Sequence, residues 1–374
     1  VARWIISRKC FRGRPMVFTY AYFLAFTFVC IIINSVAMIF LGWTILYGVY
    51  RMTGYKRGDK YVTLSLIGLV LSFMMGGAVV PFRSWQYSLV MQYGEAAGIE
   101  INFAVFMAVG AIITFGTITL YTLAMKYVFK TDFSKLRDFD PQSLKSEYAH
   151  MNKRQTIVLV VNAVVIGVIL LASIVPSSSF IYEFFNNTLS TAGIYGIGAI
   201  ALCLIPLNKK RQPLIEFFDV AAFSMRWEVI LMVGATMAVA SAVISEQSGL
   251  LAFASTALGP LFVGKGPIGV LLIVILLSAL LTNIGSNIGF GALLIPMVTP
   301  FLAPTGANPV VVGIALIYVV NMGLILPGAS APAAIIHSNT EWMDSKEIYK
   351  VLCFSMALTL LVAIPTLVVA NAIV

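Results

Sequence analysis

The sequence predicts an all-α polytopic membrane protein built from inverted repeats, each holding a re-entrant hairpin followed by a broken transmembrane helix. Three observations predict it. Hydrophobic residues make up 60% of the 374 positions and charged residues only 10%, against roughly 25% charge in a soluble domain. Two long apolar stretches carry a polar centre, Asn34-Ser35 in the first and Thr282 to Asn287 in the second. Each is followed by another apolar stretch interrupted by glycine and proline. The formal net charge of +9 does not point to nucleic acid, because the Lys and Arg residues sit in short segments between apolar runs, as the positive-inside bias requires.

Residues 1–15, with Arg3, Arg8, Lys9, Arg12 and Arg14, predict a cytoplasmic arm helix. The first repeat, residues 16–129, opens with the apolar stretch Met16 to Tyr50, which is basic at both ends because Arg51, Lys56, Arg57 and Lys60 follow it. Both flanks are therefore expected on the cytoplasmic face, so the chain turns at Asn34-Ser35 and leaves by the side it came from. Lipid excludes such a turn unless the tip is buried in protein or lines a polar cavity. The next stretch, Tyr61 to Val80, is predicted to break at Gly76-Gly77 and Pro81. Gly94 to Glu100 is acidic and reads as external, and Ile101 to Tyr127 returns inward. Residues 130–154, with Lys135, Arg137, Lys145 and Lys153, form a cytoplasmic linker.

Residues 155–264 predict scaffold helices and an outer arm: Gln155 to Ile174 outward, a loop from Pro176 to Asn187, and Ala192 to Leu207 back. An interfacial amphipathic helix from Gln212 to Arg226, a crossing from Trp227 to Ile244 and a surface helix from Leu250 to Val263 follow. The second repeat, residues 265–374, has the stretch Ile268 to Leu302 with only Lys265 at its flanks, so its hairpin is expected to enter from outside. Val310 to Leu326 is predicted to break at Pro327 to Pro332. A cytoplasmic piece, Glu341 to Lys350, and a last helix, Val351 to Val369, complete the chain. Asn34 and Gly77 lie 43 residues apart, and Asn287 and Gly328 lie 41 apart, which matches the two units. The first unit lacks about three of the helices that precede the second, so a native chain longer by roughly 90 to 100 residues is expected, at ~20 residues per span.

Hairpin tips of this kind present half-helix N-termini that favour anions, and carbonyls and half-helix C-termini that suit a cation such as sodium, the arrangement of secondary transporters. Asn34, Ser35, Thr282, Ser286 and Asn287 could instead form only interhelical hydrogen bonds; their mirrored placement favours a site. Arg83 is a candidate for meeting a carboxylate or an ordinary interfacial arginine, and His337 is a candidate proton carrier or a helix-end histidine. Cys10, Cys30, Cys203 and Cys353 have no ligand spacing. With two histidines and no H-E-x-x-H, no catalytic set is visible, and an enzyme is not expected.

The run from Leu281 to Pro296, centred on Ser286-Asn287, resembles the hairpin signature of the divalent anion/sodium symporters, the di- and tricarboxylate carriers. Leu326-Pro327-Gly328-Ala329-Ser330-Ala331-Pro332 is similar to that family's proline-rich loop. The resemblance implies an elevator-type transporter in a bacterial inner or plasma membrane, usually a homodimer, coupled to sodium ions and carrying a small anionic substrate. By position, Ser286, Asn287, Asn34 and Ser35 would meet the substrate, with Gly77, Ser330 and Pro332 beside it. Thr282, Gly285, Asn287 and Ala329 would surround one sodium, and Asn34 and Gly76 another. Ile33 and Ile288 stand where the family has hydroxyls, as does Val29 near the first sodium, so the second sodium site is better preserved. The expected function is sodium-coupled import of a dicarboxylate such as succinate, or of sulfate. A cation/proton antiporter or oxyanion permease, and a non-transporting receptor or partner subunit, are the alternatives.

Overall fold

The computed structural model describes residues 13–32, 36–82, 84–137, 152–175, 179–180, 183–206, 213–220, 222, 231, 235, 247 and 249–374. The chain divides into two compact units, one formed by residues 1–101, 106–146 and 235–374, the other by 102–105 and 147–234. Seven of the described helices are long and apolar enough to cross a membrane.

The larger unit holds two five-helix runs in the same order. The first is α1 (Pro15–Ile32), α2 (Ala37–Thr53), α3 (Lys60–Ala78), α4 (Ser84–Ala97) and α5 (Phe103–Tyr127). The smaller unit contains α6 (Lys153–Ile174), a π-helical turn at Glu183–Leu189 where a loop was expected, and α7 (Ser190–Leu204). The larger unit resumes with α8 (Leu250–Phe262) and the second run: α9 (Pro267–Ile284), α10 (Asn287–Val298), α11 (Pro309–Val320), α12 (Ala331–Ser338) and α13 (Ser345–Ile373).

Local chemistry sets the helix starts. Asn152 and Gln155 form a reciprocal capping box at α6, and Gly266-Pro267 begins α9 with proline in its first turn, where no N–H is missed. Asn308 caps α11 by accepting from the Val310 and Val311 N–H groups at 3.0 and 3.3 Å. Helix α3 is buried from Tyr61 to Ala78, which suits a helix that is apolar on all sides. Its neighbours are held by side-chain bonds to its carbonyls, Trp43 Nε1 to Leu66 at 3.1 Å and Tyr121 Oη to Leu64 at 2.8 Å. Between apolar helices in lipid, close packing and such bonds supply the attraction that water cannot. The two runs also meet directly: Tyr318 of α11 bonds Thr114 of α5 at 2.7 Å, and Tyr93 of α4 bonds the Pro309 carbonyl of α11 at 2.7 Å.

Three boundaries differ from expectation. Helix α3 runs through Gly76-Gly77 and ends at Ala78, and the interruption falls on residues 79–82 around Pro81. A β-carbon on Gly76 would stand 2.5 Å from the Thr27 carbonyl oxygen of α1, so this glycine serves close approach within a helix rather than a break. Helix α11 ends at Val320, not Leu326, because the Asn321 amide turns back to the Ile317 carbonyl at 2.8 Å. Pro332 begins α12 rather than interrupting a helix. The matched spacing of 43 and 41 residues thus compared a position inside a helix with one inside a break. Helix α13 also extends beyond Val351 to Val369 at both ends. The expected arm helix at 1–15, apart from residues 13–15, and nearly all of the crossing at 227–244 lie outside the described residues; of the amphipathic helix expected at 212–226, residues 213–220 and 222 are described, and α-helix is found there only at Phe217–Asp219.

Candidate functional site

Four helix ends converge on Gly323. Helix α9 stops at Ile284 because Gly285 takes an extended conformation, and Ser286 caps α10 by accepting from the Gly289 N–H at 3.4 Å. Ser286 is exposed while Asn287 is only 6% exposed, so the tip has an open side and a buried side. Helix α11 ends one turn before Gly323. Ser330 caps α12, accepting from the Ala333 N–H at 3.2 Å, and its hydroxyl donates to the Gly323 carbonyl at 2.7 Å. A β-carbon at Gly323 would lie 2.2 Å from Asn287 Oδ1 and 2.6 Å from the Thr282 carbonyl oxygen, so only glycine fits.

On the buried side lies a cluster of oxygens. Thr282 Oγ1 is 2.9 Å from Asn287 Oδ1 and 2.5 Å from the Val320 carbonyl oxygen. Both neighbours are acceptors and the hydroxyl has one proton, so at most one contact can be a full hydrogen bond. The other is an approach of two partially negative oxygens, which a hard cation would relieve. Around it, the ends of α10 and α12 offer helix N-terminal N–H groups, which favour an anion.

Of the residues selected from sequence, Thr282, Asn287 and Ser330 are brought together here. Gly285 is at the tip, where a β-carbon would press on the Phe290 ring at 2.8 Å. Ala329 is buried in the loop just before Ser330, with its N–H on the Leu326 carbonyl at 3.0 Å. Pro332 is buried in the first turn of α12. Asn34 and Ser35, and Arg83, lie outside the described residues. Gly76 and Gly77 lie within α3, next to α1, with no break there.

Sequence reasoning missed Gly323, the Val320 carbonyl, Thr27 and Asn283. Asn321-x-Gly323 after an apolar run is a helix-end signal that could have placed the break. Asn283, 6% exposed, accepts from the Leu324 and Ile325 N–H groups at 3.0 and 2.8 Å and donates to the Ala279 carbonyl at 2.8 Å. A buried backbone donor left unpaired costs about 1–3 kcal/mol, so this amide makes the unwound segment tenable. His337 stands at the end of α12 with Nε2 2.9 Å from the Ile325 carbonyl oxygen.

The sodium-dependent dicarboxylate transporter SdcS of Staphylococcus saprophyticus subsp. saprophyticus is 26% identical over 253 residues, which cover 66% of this chain and 46% of that protein. The chain thus spans about half the length of the curated relative it matches. This similarity agrees with the likeness to divalent anion carriers carried by Ser286-Asn287. A model of the citrate transporter family matches residues 1–306. With most of its length matched and seven helices fit to span a bilayer, this chain is an integral, multi-pass membrane protein, not an enzyme, and belongs to the citrate transporter family.

Proposed function

We propose that the protein is a sodium-coupled importer of a small divalent anion, a four-carbon dicarboxylate such as succinate, with sulfate as the other candidate. The observation that carries this reading is the meeting of a cation-type oxygen cluster with two helix N-termini at one glycine. Sodium, as co-transported cargo, is held by Thr282 Oγ1, Asn287 Oδ1 and the Val320 carbonyl, with Gly285 and Ala329 bordering the site. The anion's carboxylates meet Ser286, Asn287 and the N-terminal end of α12 at Ser330 and Pro332, and from the first hairpin Asn34 and Ser35. Cation and anion charges offset one another in a site whose described residues include no lysine or arginine.

The two runs α1–α5 and α9–α13 are inverted repeats whose hairpins are re-entrant. In support, each run places a threonine carbonyl from its first helix against a glycine of its third helix or the residues just past it: Thr27 of α1 on Gly76 within α3, and Thr282 of α9 on Gly323 beyond the end of α11. Transport proceeds by an elevator movement in which the hairpins and broken helices of residues 16–129 and 265–374 carry substrate past the scaffold helices of residues 155–264, in a homodimer embedded in lipid.

The test is uptake into liposomes by purified full-length protein. A sodium gradient drives succinate or sulfate uptake, and Asn287→Ala lowers it by at least about 10²-fold, as loss of a cation ligand and a substrate contact together implies. Coupling to a pH gradient without anion uptake identifies the antiporter alternative instead.

A further inference from the structure

We propose that Asn283 and His337 are positioning residues that grip Ile325 from two helices and thereby fix the oxygens of the candidate sodium site. The proposal rests on the reading of Thr282, Asn287 and Val320 as that site.

Adjacent side chains on α9 reach the two ends of one unwound segment. Thr282 meets the Val320 carbonyl, where α11 stops, and Asn283 meets the Leu324 and Ile325 N–H groups, where a continuing helix would have turned them toward carbonyls of its own. The orientation of the Asn283 amide is fixed, since its nitrogen must face the Ala279 carbonyl and its oxygen the two N–H groups. From the other side, the Ile325 carbonyl can only accept, so His337 Nε2 carries the proton. The imidazole is itself placed against the Tyr349 ring of α13, with centroids 4.8 Å apart. Ser330 holds the Gly323 carbonyl at the middle of the segment.

In the segment from residue 321 to 330 the backbone closes only short turns, Asn321 N–H on the Tyr318 carbonyl, Met322 N–H on the Val319 carbonyl and Ala329 N–H on the Leu326 carbonyl, so these side-chain contacts set its course between them. Asn283 and His337 spend their polar atoms on backbone and do not occupy the oxygen cluster. Their effect on a cation passes through the segment: losing either lets Val320 and Gly323 drift relative to Thr282 and Asn287. The signature is weaker sodium binding with little change in the maximal rate.

The experiment is succinate uptake by full-length protein in liposomes as external sodium is varied, paired with the sodium-induced shift in thermal unfolding in detergent. Asn283→Ala and His337→Leu are expected to raise the sodium concentration for half-maximal uptake by about tenfold or more, the usual size of such indirect effects on a bound ion, with maximal rates within about threefold. Asn283→Asp keeps the acceptor and His337→Gln keeps a donor, so both recover most of the affinity. The proposal is overturned by unchanged sodium dependence in the truncated variants, or by conservative variants as impaired as the truncated ones. His337, half-buried at a helix end, decides the matter if Asn283→Ala does not fold. Asn287→Ala separates the two layers: if it keeps sodium-driven uptake, the site itself is wrong and both readings fall. If Asn287→Ala is inactive while His337→Leu has the original sodium dependence, only the positioning role falls.

Discussion

Gly323 has no side chain, and the site depends on that. A methyl group there meets the Asn287 amide oxygen and the Thr282 backbone oxygen at distances no β-carbon tolerates. The backbone oxygen belongs to α9 and cannot yield, so Asn287 must swing out. Gly323→Ala is expected to destabilise the fold by about 1–3 kcal/mol through overpacking and to abolish the sodium-induced shift in thermal unfolding; an undiminished shift would place the ion elsewhere. At this scale the sequence was informative about Thr282, Ser286 and Asn287, because a polar cluster inside an apolar run is costly without a use. It was silent about Asn283, whose partners lie 41 and 42 residues away. No local pattern encodes such a pairing.

At the scale of elements, hydropathy located the seven described helices fit to cross a membrane but not α4, and it misplaced the breaks. Leu324, Ile325 and Leu326 prolong the apolar run beyond Val320, so the end of α11 is invisible to composition and is set by Asn321 and Asn283 instead. Gly76-Gly77 shows the opposite error. Glycine interrupts helices in isolation, yet between packed membrane helices it permits close approach. Gly76→Val is accordingly expected to lower the thermal unfolding midpoint in detergent more than Gly48→Val, whose added atoms would find open space. Equal effects of the two would show that the contact of α3 with α1 is not tight. The ion pairs that join loops at the ends of these helices, Arg57 with Asp344 at 2.7 Å and Lys135 with Asp59 at 2.8 Å, are more than half exposed and about a third exposed respectively, and each contributes no more than about 1 kcal/mol.

Across the whole molecule, the proposed repeat is supported by the order of elements and the paired threonine–glycine contacts and not by residue spacing. Re-entrance of the hairpins is a separate matter that rested on flanking charge, and side-specific labelling tests it. Single cysteines replacing Arg14 and Lys56, in a background without the native cysteines, are expected to react from the cytoplasmic side. Cysteines replacing Lys265 and Ala303 are expected to react from outside. A pair divided between the two faces would mean a single crossing; a cysteine at the tip, in place of Ser35 or Ser286, that reacted freely from the face opposite its flanks would turn that hairpin into two full crossings and remove its tip from the middle of the membrane.

Helix α3 is enclosed by this chain alone, and any added subunit or lipid can only enclose it further. Acyl chains therefore never wet it. A fluorophore or spin probe introduced along α3 would be blind to bilayer thickness and headgroup composition, and any signal it gave during turnover would report rearrangement of the protein interior itself.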